Sequence, residues 1–171
     1  MDTSAEGMRD TDVEVLAARL RRLEDQLAIA QLVASYGPAA DHGDPGTVSG
    51  LWAEDGVYDA APHGRWVGRA AIAEMFAGGH QLGIRAGMGH VLTPPRIVVD
   101  GDTALAWNHA LNIRWDAEAD RFWVARMSAN EWHLRRVGGS WRVAERVNRN
   151  LDGSDESRSL FSALTHTDTG G

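Results

Sequence analysis

Three places in the sequence combine residue type and spacing in a way that could do chemistry. Asp41 closes an otherwise apolar helical stretch, five residues after Tyr36, and a carboxylate there can hold or relay a proton. His90 follows a glycine-rich segment and opens a strand; imidazole is the side chain whose ordinary pKa suits proton transfer near neutrality. Ser128 and Asn130 stand two apart on a strand and therefore share one sheet face. A fourth set, Asn108 and Asn112, lies on the small even face of a long strand among Ala104, Ala106 and Ala110. Polar side chains turned into a hollow need partners, and a ligand is one such partner. Each position also has a plainer reading. Asp41 can cap a helix end, His90 can be a hydrogen-bonded structural histidine, and Ser128 and Asn130 can face solvent. Tyr36 and Tyr58 can be core residues with hydroxyls at the rim.

The elements that must position these groups are visible in the periodicity. Residues 1–10 are small, polar and charged and read as a disordered leader. From Thr11, the residues Val13, Leu16, Leu20, Leu23, Leu27 and Ala30 recur at steps of three and four, one face of an amphipathic helix. That pattern reaches Tyr36, is interrupted at Gly37-Pro38, where proline removes a backbone donor, and resumes as far as Asp41. A short helix follows from Thr47 to Trp52, and Glu54-Asp55-Gly56 reads as a turn. Val57–Ala60 and Arg65–Val67 read as two short strands, and Arg69–Phe76 as a helix. After the irregular glycine-rich segment come strands in succession. They are His90–Leu92, Ile97–Val99, the long Thr103–Trp115, Phe122–Arg135 and Trp141–Asn148, with Asp100-Gly101 and Gly138-Gly139 as hairpin turns. The segment 152–171 is rich in Ser, Asp, Thr and Gly and reads as a mobile tail, apart from the apolar Leu160, Phe161 and Leu164. Helices first and then a meander of strands predict an α+β domain over 11–151: a curved antiparallel sheet with helices across its concave face, enclosing a pocket. If the even face of the long strand lines that pocket, the odd face (Leu105, Trp107, Leu111, Ile113 and Trp115) is too apolar to stay wet. A homodimer or homotrimer through the sheet is the expected cover.

Composition removes whole classes of function. The chain has 171 residues, enough for one domain with a real core. Its formal net charge of −7 argues against a nucleic-acid surface or an anionic membrane surface. Without cysteine there is no disulfide, thiolate nucleophile or thiolate metal site. There is no basic-then-apolar leader and no apolar run long enough to span a bilayer, so a soluble cytoplasmic protein is expected. Dinucleotide, P-loop, HExxH and GxSxG motifs are missing, and no two histidines sit at metal-ligand spacing on a helix. Neither a metal nor an organic cofactor is expected. Seven Trp against three Phe and two Tyr suit a pocket wall or a subunit interface.

Several short motifs fall in a telling order: Tyr36-x4-Asp41-His42-Gly43-Asp44, then Leu51-Trp52-Ala53-Glu54-Asp55-Gly56-Val57-Tyr58, Gly68 before a helix, His90, Asp100-Gly101-Asp102-x-Ala104, and Gly139-Ser140-Trp141-Arg142-Val143. Together, over about Leu20 to Asp152, they resemble the SnoaL-like proteins of the nuclear-transport-factor-2-like superfamily, whose members share an α+β cone. The closest likeness is to the scytalone dehydratase and bile-acid dehydratase branch. That resemblance implies that Asp41 and His90 are paired across the pocket and that Tyr36 acts beside them. It also implies that Met127-Ser128-Ala129-Asn130 holds substrate, with Tyr58, Asn108 and Asn112 as further contacts. The strand aspartate of the bile-acid enzyme is replaced here by Asn108 or Asn112. A second histidine of scytalone dehydratase falls near Arg114, and its strand tyrosine near Ala60. The function so implied is a dehydratase using the Asp–His pair on a small hydrophobic cyclic or aromatic hydroxy-ketone. A ketone isomerase or polyketide cyclase on the same pair, or a non-catalytic binding or assembly domain, are the alternatives the superfamily also allows.

Overall fold

A computed structural model of the chain describes residues 3–162 and 164. A single long helix, α1 (Thr3–His42), leads into a short α2 (Pro45–Ser49). Strand β1 (Trp52–Asp59) and β2 (Arg65–Val67) form a hairpin, followed by α3 (Arg69–Met75), a π-helical turn over Phe76–His80 that kinks at Gly78, and α4 (Gln81–Arg85). The remainder is β3 (Met88–Leu92), β4 (Arg96–Asp100), β5 (Thr103–Asp116), β6 (Arg121–Val137), β7 (Ser140–Asn150) and a last helix α5 (Asp155–Ser159).

The strands form one sheet in the order β2-β1-β7-β6-β5-β3, with β4 also on β5. β3 and β4 occupy successive stretches of the same β5 edge, separated by Pro94-Pro95, which cannot donate to a ladder. The sheet is mixed, where an antiparallel one was expected. β1 enters from the helical side and pairs with β7 in parallel, while every other pairing is antiparallel. Glu54-Asp55-Gly56, read from sequence as a turn, lies inside β1 at a register shift between Trp52 and Val57. The core lies between the concave face and α1, α2 and α3. Trp52, Trp132, Phe76, Ile29, Ile72, Val33, Val48 and Val143 are its largest fully buried apolar members.

α1 differs from the sequence expectation in two ways. It begins at Thr3, within the stretch read as a leader, and it runs unbroken through Gly37-Pro38 to His42. The apolar row Val13, Leu16, Leu20, Leu23 and Leu27 does not face the core, because each of these residues is more than half exposed. The buried row starts at Ile29 and continues through Val33, Tyr36 and Ala40, steps of four, three and four. Where the helix reaches the sheet, Asp25 accepts hydrogen bonds from the Arg136 guanidinium at 2.7 Å and the Trp141 indole at 3.0 Å.

The C-terminal segment also departs from expectation. Ser154 caps α5, Ser157 is buried, and Arg149 bridges Glu156 of α5 and Asp59 of β1. Phe161 lies against the His109 ring, 5.0 Å between centroids, so part of the outer face of β5 is covered by the chain's own tail. Trp107 on that face is buried, with its indole donating to Glu131 at 2.8 Å. Trp115, Phe122, Trp123, Val124 and Met127 remain exposed.

Gly37 sets how closely α1 and β3 approach. A Cβ there would stand 2.7 Å from the His90 carbonyl oxygen, inside any tolerable contact. Gly37→Ala gains about 1 kcal/mol of helix propensity, but the forced separation costs about 1–3 kcal/mol. The expected outcome is a lower melting temperature together with shifted imidazole nitrogen resonances of His90. Unchanged resonances would show that the close approach is not what places the ring.

Candidate functional site

Gly37 and Asp41 are one helical turn apart and therefore share a face of α1. Gly37 lets the backbone in, and Asp41 then grips the same residue twice. Its Oδ1 stands 2.6 Å from His90 Nδ1, and its Oδ2 accepts the His90 backbone N–H at 3.0 Å. A carboxylate accepts only, so Nδ1 carries a proton, and in the neutral ring Nε2 holds the lone pair. The His90 side chain is 8% exposed and lines a cavity of about 620 Å³, while Asp41, 35% exposed, lies behind it.

His80 stacks on His90, ring centroids 5.1 Å apart, and its Nε2–H donates to the Ala40 carbonyl at 3.3 Å. Gln81 ties the same turn to the Gly43 carbonyl. The irregular glycine-rich segment thus serves as the wall that packs the last turn of α1 against β3. Burial and then the neighbouring His90 push the His80 pKa below its ordinary value, so it stays neutral at neutral pH.

The rest of the wall is aromatic and apolar. Tyr36 meets His90 edge-on at 5.9 Å and lies among Trp52, Phe76 and Trp132. Burial, with Tyr58 beside it, drives the Tyr36 pKa well up, so its hydroxyl remains a donor. Tyr58, Ala60, Trp66, Met75, Met88 and Ala110 complete the apolar lining. Asn112, directly across from His90 on β5, contributes a polar side chain.

Four of the residues expected at the site line one cavity, Tyr36, Tyr58, His90 and Asn112, and a fifth, Asp41, is held behind His90. The other three do not reach its surface. Asn108 is consumed by the fold, donating to the Thr93 carbonyl at 2.9 Å and accepting from the Trp132 indole at 3.0 Å. Asn130 is fully buried and its Oδ1 accepts from Arg146 and Asn148. Ser128 is buried beside it without lining the cavity. The two asparagines support other side chains instead of touching a ligand.

The sequence reading missed Arg126, Arg146 and Asn148, all of which line the cavity. The Arg146 guanidinium sits under the rings of Tyr36, Trp132 and Tyr58, at 4.0, 4.4 and 5.0 Å. A register shift between β6 and β7 carries this information. Leu134 pairs with Val143 and His133 with Glu145, so Ala144 is an extra residue that reverses the alternation. Trp141 and Val143 face inward before it, and Arg146 and Asn148 after it. Simple alternation puts Arg146 outside. Among the described residues, no group of three or more His, Asp or Glu side chains is set to hold a metal ion, and no helix is long and apolar enough to cross a membrane.

The comparisons with known proteins agree with this architecture. The SnoaL-like domain family matches residues 21–147. An NTF2-like protein with a cystatin-like fold from Novosphingobium aromaticivorans is 43% identical, with TM-score 0.82, over 86% of this chain and 95% of that one. A scytalone dehydratase-like protein of the same organism superposes with TM-score 0.63 at 21% identity, over 75% of this chain and 85% of its own. A hexachlorocyclohexane dehydrochlorinase (LinA, type 2) gives 0.65 at 16%, over 78% and 89%. These last two likenesses show the fold alone. No curated protein sequence matches the chain. Family match, mixed curved sheet and N-terminal helix across its hollow agree, and the chain belongs to the SnoaL-like domain family of the NTF2-like superfamily.

Proposed function

We propose that the chain is a cofactor-independent acid–base enzyme that eliminates water from a small cyclic or aromatic β-hydroxy-ketone, with His90 as the proton carrier. The observation that carries this reading is the 2.6 Å Asp41–His90 pair set in the wall of an aromatic cavity. Asp41 fixes the tautomer of His90 and stabilises the imidazolium that forms when Nε2 takes a proton. Nε2 removes the proton α to the carbonyl, and the electron pair moves onto the carbonyl oxygen as an enolate. Collapse of the enolate expels the β-hydroxyl, which leaves as water with the proton returned by the same imidazolium. Tyr36, edge-on to His90, is the donor available to the enolate oxygen. The names of two neighbours on this fold, a dehydratase-like protein and a dehydrochlorinase, describe eliminations too.

Incubation with a panel of cyclic hydroxy-ketones is expected to yield a product lighter by one water. His90→Gln should lower turnover by about 10²–10⁴-fold, the usual worth of a positioned acid–base group, with the fold retained. Asp41→Asn should cost at least about a hundredfold, since a neutral amide does not stabilise the imidazolium. A product of unchanged mass with a moved double bond or a closed ring would assign the pair to an isomerase or cyclase. Full turnover in both variants would leave a binding module.

His80 gives a separate pH signature. Its pKa is depressed in the folded chain, so as pH falls through 6.5 the unfolded chain takes up the proton first and the folded state loses stability. In urea melts at about pH 7.5 and about pH 5.5, the acid loss should be smaller in His80→Gln than in the parent. An equal loss in both would remove His80 as its source.

A further inference from the structure

The concave face of β6 and β7 carries a polar patch whose chemistry is one-sided. Register places Ser128 opposite Asn150, Asn130 opposite Asn148 and Trp132 opposite Arg146, with Arg126 next along β6. Two guanidiniums are gathered here with no carboxylate. Arg146 is 2% exposed, and all its partners are neutral: Nε and Nη2 donate to Asn130 Oδ1 at 3.0 and 2.9 Å, and three aromatic rings take its faces. Asn148 Nδ2 donates to that same oxygen at 2.6 Å, so one acceptor serves three donors. Arg126 donates to Asn148 Oδ1. What remains unmatched is almost all donor: Arg146 Nη1, Arg126 Nε and Asn130 Nδ2 are buried without partners, together with the Ser128 hydroxyl and a single pure acceptor, Asn150 Oδ1.

This contrasts with three other arginines of β6 and β7. Arg135, Arg136 and Arg149 each meet an aspartate, at Asp55, at Asp25 and Asp102, and at Asp59. A guanidinium stays charged in proteins, and a buried charge without a counter-charge is strongly unfavourable. Arg126 and Arg146 both line the cavity, and the one carboxylate on its lining, Glu74, is exposed on α3. The counter-charge is therefore missing on the wall of the cavity, where a ligand can bring it.

We propose that the cavity binds its substrate as an anion, with a carboxylate held by Arg126 and Arg146. This rests on the preceding reading of the cavity as the reaction site and adds the substrate's charge to it. The register also fixes where the charge lies relative to the chemistry. His90 on β3, Asn112 on β5 and Arg126 on β6 form one cross-strand row. Two strand spacings, about 10 Å, separate the backbones at its ends. The carboxylate and the carbon that loses its proton are thus different parts of one cyclic molecule, one at each end of the row.

The test compares 1-naphthoate with its neutral isostere 1-naphthamide, read by quenching of tryptophan emission, since Trp66 lines the cavity and Trp132 touches Arg146. The parent is expected to bind naphthoate at least about tenfold more tightly than naphthamide, with the preference shrinking as salt is added. Arg126→Met should cut the preference severalfold, naphthoate affinity falling more than naphthamide affinity, and its melting temperature should equal or exceed the parent's, because an uncompensated charge has been removed. Equal affinities in the parent, an intact preference in Arg126→Met, or no naphthoate binding at millimolar concentration would each overturn the proposal. His90→Gln should retain the naphthoate preference. Loss of turnover in that variant with retained preference keeps both readings, and full turnover with retained preference removes only the acid–base one.

Discussion

The Asp41 carboxylate joins the two halves of the molecule. One oxygen holds a ring nitrogen of His90 and the other holds the backbone N–H of the same residue, so the C-terminal turn of α1 is fastened to β3 and the imidazole is oriented in a single act. The rest of the site depends on this clasp. Tyr36 lies in its cage because α1 is pulled against the sheet, and His80 finds the Ala40 carbonyl because the helix end is fixed. The clasp in turn depends on the absence of a side chain at Gly37, which leaves room for the His90 carbonyl. Position, tautomer and dryness of the imidazole therefore come from the last two turns of one helix.

Much of this was legible in the sequence, and the limits have physical causes. The strand meander and its hairpins followed from alternation and from Asp100-Gly101 and Gly138-Gly139. Asp41 and His90 were singled out by their places at a helix end and a strand start, and the resemblance supplied their pairing. The long apolar row from Val13 to Leu27 misled because periodicity shows that a helix is two-faced without saying what covers the face; the body of the domain begins to cover α1 only at Ile29. Arg146 was hidden for another reason. Period-two reading assumes an unbroken strand, and the extra residue at Ala144 turns the inward set from Trp141 and Val143 to Arg146 and Asn148. Asn108 and Asn130 had the right face and the wrong depth. Alternation places a side chain on a face, but only the packed neighbours decide whether its hydrogen bonds are already taken.

The cavity shows a division of labour between a soft wall and a hard one. On the α1 and β3 side, a hydrogen-bonded carboxylate and stacked imidazoles can give and take a proton without large rearrangement. On the β6 and β7 side, guanidiniums are caged by rings and asparagines that cannot neutralise them. Two of the seven tryptophans find their use here, Trp66 as apolar lining and Trp132 as a face that tolerates a cation. Such a wall is poorly optimised for stability, as natural proteins commonly are.

The parallel pairing of β1 with β7 bears on how the chain reaches this state. β5, β6 and β7 are neighbours in sequence and join through tight turns, so their ladder closes over short loops. The β1–β7 ladder links residues at opposite ends of the domain, and the Asp41–His90 contact spans 49 positions. Loop closure is entropically costly and long-range pairing slows folding. The meander is thus the natural scaffold on which the first helix and strand dock late. The contacts that close the cavity are the same ones that complete the fold, so a chain that has not finished folding has no enclosed site to offer.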